Sequence, residues 1–254
     1  MIQDPFSLEH KIALITGASR GIGEAIALVL AQRGAACLLV SRKKEGLAAV
    51  QAKIIAAGGK ADVIACNMGD LSGIERLVDE VKKNYGRLDI LVSNAATNPY
   101  FGPMTDAPEK AWDKTVDVNL KGPFFLIGQA SELMAAGGGG SIVNVASING
   151  VTPALYQGIY SITKAGVIAM TKAYAKELAE KNIRVNALLP GLTATKLSQA
   201  LIDSDEIYQR AMSRIPLKRH AQPMEMTGAV LYLVSDAASF TTGTVIVCDG
   251  GALA

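Results

Sequence analysis

Short apolar segments alternate with longer amphipathic segments along the whole chain. The apolar segments have the length of buried strands, and the segments between them carry apolar residues at helical spacing. Strands that alternate with helices pair in parallel, so the pattern predicts a doubly wound α/β sheet. The predicted strands are 11–16, 36–41, 60–66, 88–93, 141–146, 183–189 and 244–248, and the predicted helices are 22–33, 44–57, 71–85, 109–136, 156–181 and 223–235.

Length and composition are consistent with one folded unit. The chain has 254 residues, enough for a single α/β domain with a sizeable buried core. Half of the residues are apolar and 19% are charged, which is typical of a globular enzyme rather than a disordered chain. Because no linker or repeat divides the sequence, we predict one domain over residues 1–254.

Charge and hydropathy argue against several classes of protein. The net charge of +2 gives no support for a nucleic-acid partner, and no run of about 18 apolar residues predicts a membrane span. The first seven residues do not resemble a secretory signal. Cys37, Cys66 and Cys248 lie in strand-like segments without metal-ligand spacing. We therefore expect a cytoplasmic protein with reduced, buried thiols and no metal site.

A glycine-rich turn follows the first predicted strand and opens the first predicted helix. Gly17 permits a tight turn, Gly21 lets the backbone approach a pyrophosphate, and Gly23 allows the helix to pack closely on the strand. The helix N-terminus would then present unpaired N–H groups to the phosphates. A strand, a glycine turn and a helix in this order predict a dinucleotide site, so the sheet is expected to be a Rossmann fold.

Tyr160 and Lys164 lie four residues apart in a predicted helix, so their side chains share one face. An ammonium beside a phenol favours the phenolate. Lowering a tyrosine pKa from about 10 to about 7 requires roughly 4 kcal/mol. One ammonium at ~4 Å in an effective dielectric of ~20 supplies about that much. The pair is thus a candidate acid and base near neutral pH.

Further polar residues stand at the carboxyl ends of predicted strands, where ligands bind in such sheets. Asn94 and Ala95 follow one strand, Ser147 follows another, and the segment Pro190–Thr193 follows a third. With Asn119 and the Tyr160–Lys164 pair, the ordered set resembles the short-chain dehydrogenase/reductase family over nearly the whole chain. Two departures are visible, since Ala96 stands where the family often has Gly, and Asn67 where an Asp often meets the adenine.

The resemblance implies a catalytic tetrad of Asn119, Ser147, Tyr160 and Lys164. Tyr160 would exchange the proton with the substrate oxygen, and Ser147 would hydrogen-bond the same oxygen. Lys164 would lower the tyrosine pKa and hold the nicotinamide ribose, and Asn119 would bind a water that links Lys164 to solvent. Hydride transfer itself belongs to the cofactor.

Charge at the end of the second strand bears on the choice of cofactor. NAD sites usually carry an acidic residue there, on the ribose 2′-hydroxyl. Here Ser41 is followed by Arg42 and Lys43, and Arg20 lies in the glycine turn, so a 2′-phosphate would meet cations. We expect NADP(H). The expected cofactor residues are Gly17, Ser19, Arg20, Gly21, Ile22, Gly23, Ser41, Arg42, Asn67, Met68, Asn94, Ala95, Tyr160, Lys164, Pro190, Gly191 and Thr193.

The two histidines argue against hydrolytic and zinc chemistry. A Ser-His-Asp triad or a zinc site needs well-placed imidazoles. His10 precedes the first predicted strand and His220 lies in a polar loop, so neither is expected near Ser147.

The segment 191–222 interrupts the alternation and is expected to cover the substrate. The stretch 93–102, with Trp112 and Asn119, resembles the NADPH-dependent carbonyl reductase branch of the family. The residues expected to reach the substrate are Tyr100, Phe101, Leu155, Tyr156, Leu192 and Leu197. They are apolar or aromatic, and the loop 148–157 has no Lys or Arg, which favours neutral ketones or aldehydes.

The reading adopted is an NADPH-dependent carbonyl reductase that acts on a small molecule. One alternative is a 3-oxoacyl-(acyl-carrier-protein) reductase, to which Lys172, Lys176 and Lys181 could offer a basic face. A further alternative is a dinucleotide-binding module without catalysis. Family resemblance and the apolar C-terminal stretch also predict a homotetramer.

Overall fold

Seven strands form one sheet in which every pairing is parallel. The computed structural model describes residues 4–254, so the first three residues of the N-terminal segment considered above lie outside it. The strands are β1 (Ile12–Thr16), β2 (Ala36–Ser41), β3 (Lys60–Ala65), β4 (Ile90–Ser93), β5 (Gly140–Val145), β6 (Ile183–Pro190) and β7 (Val245–Cys248). Their order in the sheet is β3-β2-β1-β4-β5-β6-β7. The predicted Rossmann fold is confirmed.

Helices cover both faces of the sheet, as predicted. The helices are α1 (Gly21–Gln32), α2 (Lys44–Ala56), α3 (Leu71–Tyr85), α4 (Glu109–Val116), α5 (Gly122–Ala136), α6 (Gly158–Glu177), α7 (Gln199–Ile202), α8 (Asp205–Arg214) and α9 (Thr227–Val234). Side chains of α3, α5 and α6 pack on one face, and side chains of α1, α2 and α9 pack on the other. None of the helices among residues 4–254 is both long and apolar enough to cross a membrane.

The strand order reverses direction beside β1. The chain moves outward from β1 through β2 to β3 and then returns to place β4 on the other side of β1. In sheets of this kind, a crevice opens at the carboxyl ends of the two strands where the order reverses, and ligands bind there. The ends of β1 and β4 therefore locate the candidate site.

Three predicted helical segments differ in detail from the structure. The segment 109–136 is interrupted by a π-helical turn, Asp117–Lys121, between α4 and α5. The segment 156–181 ends as a 3₁₀ turn at 179–181, and the segment 223–235 begins as one at 223–226. Apolar spacing, read over the whole segment, did not reveal this single π turn within the helical pattern. Such turns are frequent at functional sites, and Asn119 is the central residue of this one.

The excursion at 191–222 is closed at its base. Thr193 forms an isolated parallel bridge with Ala221. The Ala194 N–H donates to the Ala221 carbonyl at 2.8 Å, and the Ala221 N–H donates to the Leu192 carbonyl at 2.9 Å. Helices α7 and α8 lie between these points, so the segment is a loop whose two ends are hydrogen-bonded to each other just after β6.

Candidate active site

Helix α1 starts directly on the glycine turn, with an N-terminus that no side chain caps. Arg20 is the N-cap residue, and its side chain makes no capping hydrogen bond. A Cβ on Gly23 would lie 2.4 Å from the Gly17 carbonyl oxygen, so only glycine lets the helix sit so close to the turn. The first N–H groups of α1 remain available to an anion, and a pyrophosphate fits this arrangement.

Asn94 ties the glycine turn to the end of β4. Its Nδ2 donates to the Thr16 carbonyl oxygen at 2.9 Å. The Thr16 hydroxyl in turn accepts from the N–H groups of Asn94 and Ala95, at 2.9 and 3.0 Å. Asn94 and Ala95, both expected to bind the cofactor, thus hold the walls of the crevice at a set separation.

The end of β2 lies beside the glycine turn and is cationic. The Ala18 N–H donates to the Val40 carbonyl at 3.2 Å, and a Cβ on Gly46 would lie 3.1 Å from that of Ser19. Arg20 and Arg42 are both exposed, and neither forms an ion pair with a carboxylate of residues 4–254. Two uncommitted guanidinium groups fit a phosphate better than a ribose hydroxyl.

The remaining expected cofactor residues are placed unequally. Asn67 is exposed, and its Oδ1 accepts from the Gly69 N–H at 3.2 Å. The Met68 side chain is buried in the core under α3 and α5, so only its main chain can reach a ligand. Thr193 is buried, and its hydroxyl donates to the Gly191 carbonyl at 3.0 Å. Thr195 was not expected, yet it packs against the glycine turn, because a Cβ on Gly21 would lie 3.3 Å from its methyl carbon.

Ser147, Tyr160 and Lys164 come together at the end of β5. Ser147 caps a short 3₁₀ turn, and its Oγ accepts from the Asn149 N–H at 3.1 Å, so its own hydrogen can be donated to the Tyr160 hydroxyl or to a ligand. A Cβ on Gly150 would lie 2.7 Å from the carbonyl carbon of Lys164, so this turn packs directly on α6. The Lys164 Nζ lies 5.6 Å from the centroid of the Tyr160 ring and donates to the Val145 carbonyl at 2.7 Å.

The ionisation of this cluster differs from the expectation. Burial raises the pKa of Tyr160 to about 12, and a hydrogen bond with Ser147 opposes that shift. Burial also lowers the pKa of Lys164 to about 8. The expected fall of the tyrosine pKa towards 7 is therefore wrong for this structure. The tyrosine pKa rises instead because burial removes water from the phenolate, just as it disfavours the charged form of Lys164, and the sequence argument did not include this desolvation.

Asn119 is buried, and its side-chain amide is committed to protein groups. Its Oδ1 accepts from the Thr97 N–H at 2.8 Å, and its Nδ2 donates to the Thr97 carbonyl at 2.9 Å and to the Thr163 hydroxyl at 3.2 Å. The Thr163 hydroxyl donates to the Tyr160 carbonyl at 2.8 Å. The side chain therefore links the loop after β4 to the first two turns of α6, which is a positioning role that sequence reasoning did not anticipate.

The residues expected to contact the substrate do not all meet. Phe101 and Tyr156 pack edge to face, with ring centroids 5.8 Å apart, and Leu155 precedes Tyr156. The Tyr100 hydroxyl donates to the Pro103 carbonyl at 2.8 Å. Leu192 instead lines a cavity of about 170 Å³ with Leu217, Met226 and Cys248, and Leu197 is exposed on the loop.

Two polar residues beside this aromatic pair escaped the sequence analysis. Asn98 Nδ2 donates to Gln157 Oε1 at 3.4 Å, and both side chains are half-buried. Gln157 stands three residues before Tyr160, and that spacing is the one signal that could have drawn attention to it. Asn98 carries no comparable signal, because its partner lies 59 residues away in the chain.

The histidines lie where the sequence placed them, outside the cluster. His220 Nδ1 lies 3.0 Å from the Tyr208 hydroxyl in the segment 191–222. His10 precedes β1 and therefore lies at the amino ends of the strands, whereas Ser147 lies at their carboxyl ends. Within residues 4–254, no group of three or more histidine, cysteine or acidic residues is arranged to hold a metal ion.

Comparison with known proteins identifies the same family throughout. A family model described as enoyl-(acyl carrier protein) reductase matches residues 17–252. The Bos taurus protein "Dehydrogenase/reductase SDR family member 4" is 40% identical over 97% of this chain and 88% of its own length. The Thermotoga maritima 3-oxoacyl-(acyl-carrier-protein) reductase FabG is 41% identical over 96% and 98%.

A solved structure shares the whole fold. Gluconate 5-dehydrogenase from Burkholderia cenocepacia, in complex with NADP and tartrate, is 32% identical and has a TM-score of 0.94. The match covers 98% of each chain.

Proposed function

The chain belongs to the short-chain dehydrogenase/reductase family of oxidoreductases, and we propose that it is an NADPH-dependent reductase of neutral ketones and aldehydes. The observation that carries this proposal is that Ser147, Tyr160 and Lys164 lie together at the carboxyl ends of the strands, the end of the sheet at which the glycine turn also lies. A proton donor thus stands beside the crevice in which a dinucleotide fits.

The chain's own residues supply the proton and steady the oxygen. When bound, the nicotinamide cofactor supplies the hydride. Tyr160, whose pKa of about 12 keeps it protonated, gives its proton to the carbonyl oxygen, and Ser147 donates a hydrogen bond to that oxygen. Lys164 is largely charged below its pKa of about 8 and stabilises the tyrosinate that forms. Asn119 holds the backbone of Tyr160 in place through Thr163.

Preference for NADPH is supported by Arg20 and Arg42. Both guanidinium groups are exposed beside the end of β2, and no acidic residue precedes Glu45 there. A 2′-phosphate carries about −1.5 to −2 charges and would be attracted to them. The Burkholderia cenocepacia structure contains NADP, which is consistent with this choice.

A neutral substrate is supported by the walls of the crevice. Phe101, Leu155 and Tyr156 are each more than 40% exposed, so apolar surface faces the opening. The loop 148–157 carries no Lys or Arg to pair a carboxylate. We also propose that residues 1–254 form one domain in which the segment 191–222 covers the substrate.

A panel of carbonyl compounds assayed by consumption of NADPH tests the proposal. It includes an aromatic ketone, an α-diketone, a cyclic ketone, a 3-oxoacyl thioester and a keto acid. We expect neutral ketones to be reduced fastest, and faster with NADPH than with NADH. Best activity on the keto acid would refute the neutral crevice, and no reduction of any carbonyl would refute the proposed function.

A second candidate is reduction of 3-oxoacyl groups on an acyl carrier protein. It is favoured by the 41% identity to the Thermotoga maritima enzyme of that name. Lys172 and Lys176 are exposed on α6 and would offer a basic face to an acidic carrier, whereas Lys181 is paired with Glu132 at 2.6 Å. Best activity on the thioester, together with retention of the protein on immobilised acyl carrier protein, would establish this candidate. The non-catalytic alternative is disfavoured because Tyr160 and Lys164 are both present.

A further inference from the structure

Hydrogen bonds on both sides hold the amide pair Asn98–Gln157 in place. Asn98 follows Thr97, which Asn119 grips through two hydrogen bonds. Gln157 is the N-cap residue of α6, and its carbonyl accepts from the Ser161 N–H and hydroxyl, both at 2.9 Å. The pair thus joins the loop after β4 to the helix that carries Tyr160.

The chain is strained where it positions Gln157. Tyr156 has φ of 65°, in the left-handed region that a bulky residue rarely adopts. Two contacts hold it there, since the Gly102 N–H donates to its carbonyl at 3.0 Å and Phe101 packs on its ring. Tyr156 is 44% exposed, whereas Gln157 is half-buried against Asn98. Strain of this kind persists where the surrounding structure enforces it, and it is concentrated at functional sites.

The pair retains unused hydrogen-bonding capacity. Two amides hold four N–H donors and two carbonyl acceptors, and their mutual bond uses one donor. No other hydrogen bond to either side-chain amide is present among residues 4–254. Gln157 Nε2 therefore keeps both donors, beside aromatic surface and with no cation in the loop 148–157. A neutral donor of this kind recognises an oxygen acceptor without requiring a charged substrate.

We propose that Gln157, oriented by Asn98, is a specificity residue that selects carbonyl substrates with a second oxygen close to the reacting carbonyl. This inference rests on the proposed function, which it narrows from neutral ketones in general to oxygenated ketones. The reacting oxygen faces Ser147 and Tyr160, and the second oxygen accepts from Gln157 Nε2. A plain ketone of the same size leaves that donor without a partner, which is unfavourable in a half-buried site.

The test compares 1-methoxy-2-propanone with 2-pentanone, which differ by an ether oxygen in place of a methylene group, so that the second oxygen can only accept a hydrogen bond. The measured quantity is the ratio of kcat/KM for the two ketones, in wild type and in Gln157→Met. Methionine keeps the length of the side chain and removes the amide. We expect the ratio to fall by about twofold to tenfold, the range for one neutral hydrogen bond. Intrinsic reactivity cancels, because each variant is judged by the same two ketones.

Two further variants keep the result interpretable. Gln157→Glu preserves the bond from Asn98 but loses the donors, so its ratio should also fall, even if Gln157→Met folds poorly. Gln32→Met, at an exposed position ending α1, is the matched control and should leave the ratio unchanged. If the wild type reduces ketones and both Gln157 variants keep its ratio of kcat/KM, this inference alone is overturned. Failure of the wild type to reduce any carbonyl overturns the proposed function, and this inference with it.

Discussion

Burial determines the chemistry of individual residues in the candidate site. Tyr160 and Lys164 are shifted in opposite directions, because each loses the water that would stabilise its charged form. At neutral pH the tyrosine is a protonated acid and the lysine is largely a cation. This combination suits the reductive direction, in which a proton must be given to the substrate oxygen.

Replacing Tyr160 with Phe should abolish most turnover and leave the fold intact. The variant keeps the ring and removes only the proton donor. We expect kcat to fall by at least ~100-fold, the low end for general acid catalysis. Binding of NADPH, measured by fluorescence titration, should be unchanged. Near-normal turnover in this variant would contradict the proposed mechanism.

Replacing Lys164 with Met should stabilise the folded protein at neutral pH. The folded pKa of about 8 lies below the usual value of 10.5, so the ammonium is disfavoured in the folded state. This penalty is complete below pH 8, is released as pH rises from 8 to 10.5, and is absent above that range. The shift corresponds to about 3 kcal/mol, and loss of the bond to Val145 offsets part of it.

Denaturant unfolding of wild type and Lys164→Met at pH 7 and pH 10 measures this effect. The variant should gain stability at pH 7, and the gain should shrink at pH 10. A variant that is no more stable than the wild type at pH 7 would contradict the assignment of a buried ammonium. Activity should be lost at both values, because Lys164 is also expected to stabilise the tyrosinate and hold the cofactor.

At the scale of elements, parallel pairing brings the ends of neighbouring strands together, so residues after two strands can bind one ligand. Strand β2 ends beside the glycine turn because β1 and β2 pair in register, with Thr16 opposite Val40. The residue after β2 is therefore within the same crevice as the N-terminus of α1. The charge of that residue can therefore favour one nicotinamide cofactor over the other.

Arg42→Asp should move cofactor preference from NADPH towards NADH. The change removes a phosphate partner and adds a carboxylate that accepts from a ribose hydroxyl and repels phosphate. The ratio of kcat/KM for NADPH to that for NADH should fall by at least ~10-fold, the effect of about 1.4 kcal/mol. Lys83→Asp makes the same charge change and should not alter the ratio, because Lys83 is exposed near the end of α3, at the amino ends of the strands and away from the crevice. A wild type that already prefers NADH would refute the charge argument.

At the scale of the whole molecule, apolar surface remains exposed away from the crevice. Trp112, Phe124, Phe125 and Ile162 are each more than 40% exposed on α4, α5 and α6. Strand β7 pairs with β6 alone among residues 4–254, and its Val247 is 43% exposed. Large exposed apolar patches are typical of protein–protein contacts, which is in keeping with the homotetramer predicted from the sequence.

Light scattering should therefore give a mass near four times the 26.5 kDa of one chain. Phe125→Glu should lower the mass, because a carboxylate would be buried without a partner in the assembled interface. Ile55→Asp, on α2 and away from these surfaces, should keep the wild-type mass. A monomer mass for the wild type at micromolar concentration would contradict the tetramer.

Local patterns in the sequence were sufficient for the fold and for the location of the candidate site. Strand and helix periodicity, the glycine turn and the spacing of Tyr160 from Lys164 depend on neighbours within a few residues, so they can be read directly. Only the tertiary structure decided the direction of the Tyr160 pKa, the engagement of Asn119 and the pairing of Asn98 with Gln157. Desolvation and contacts across 22 or 59 residues arise only when the chain is packed, and no local pattern encodes them.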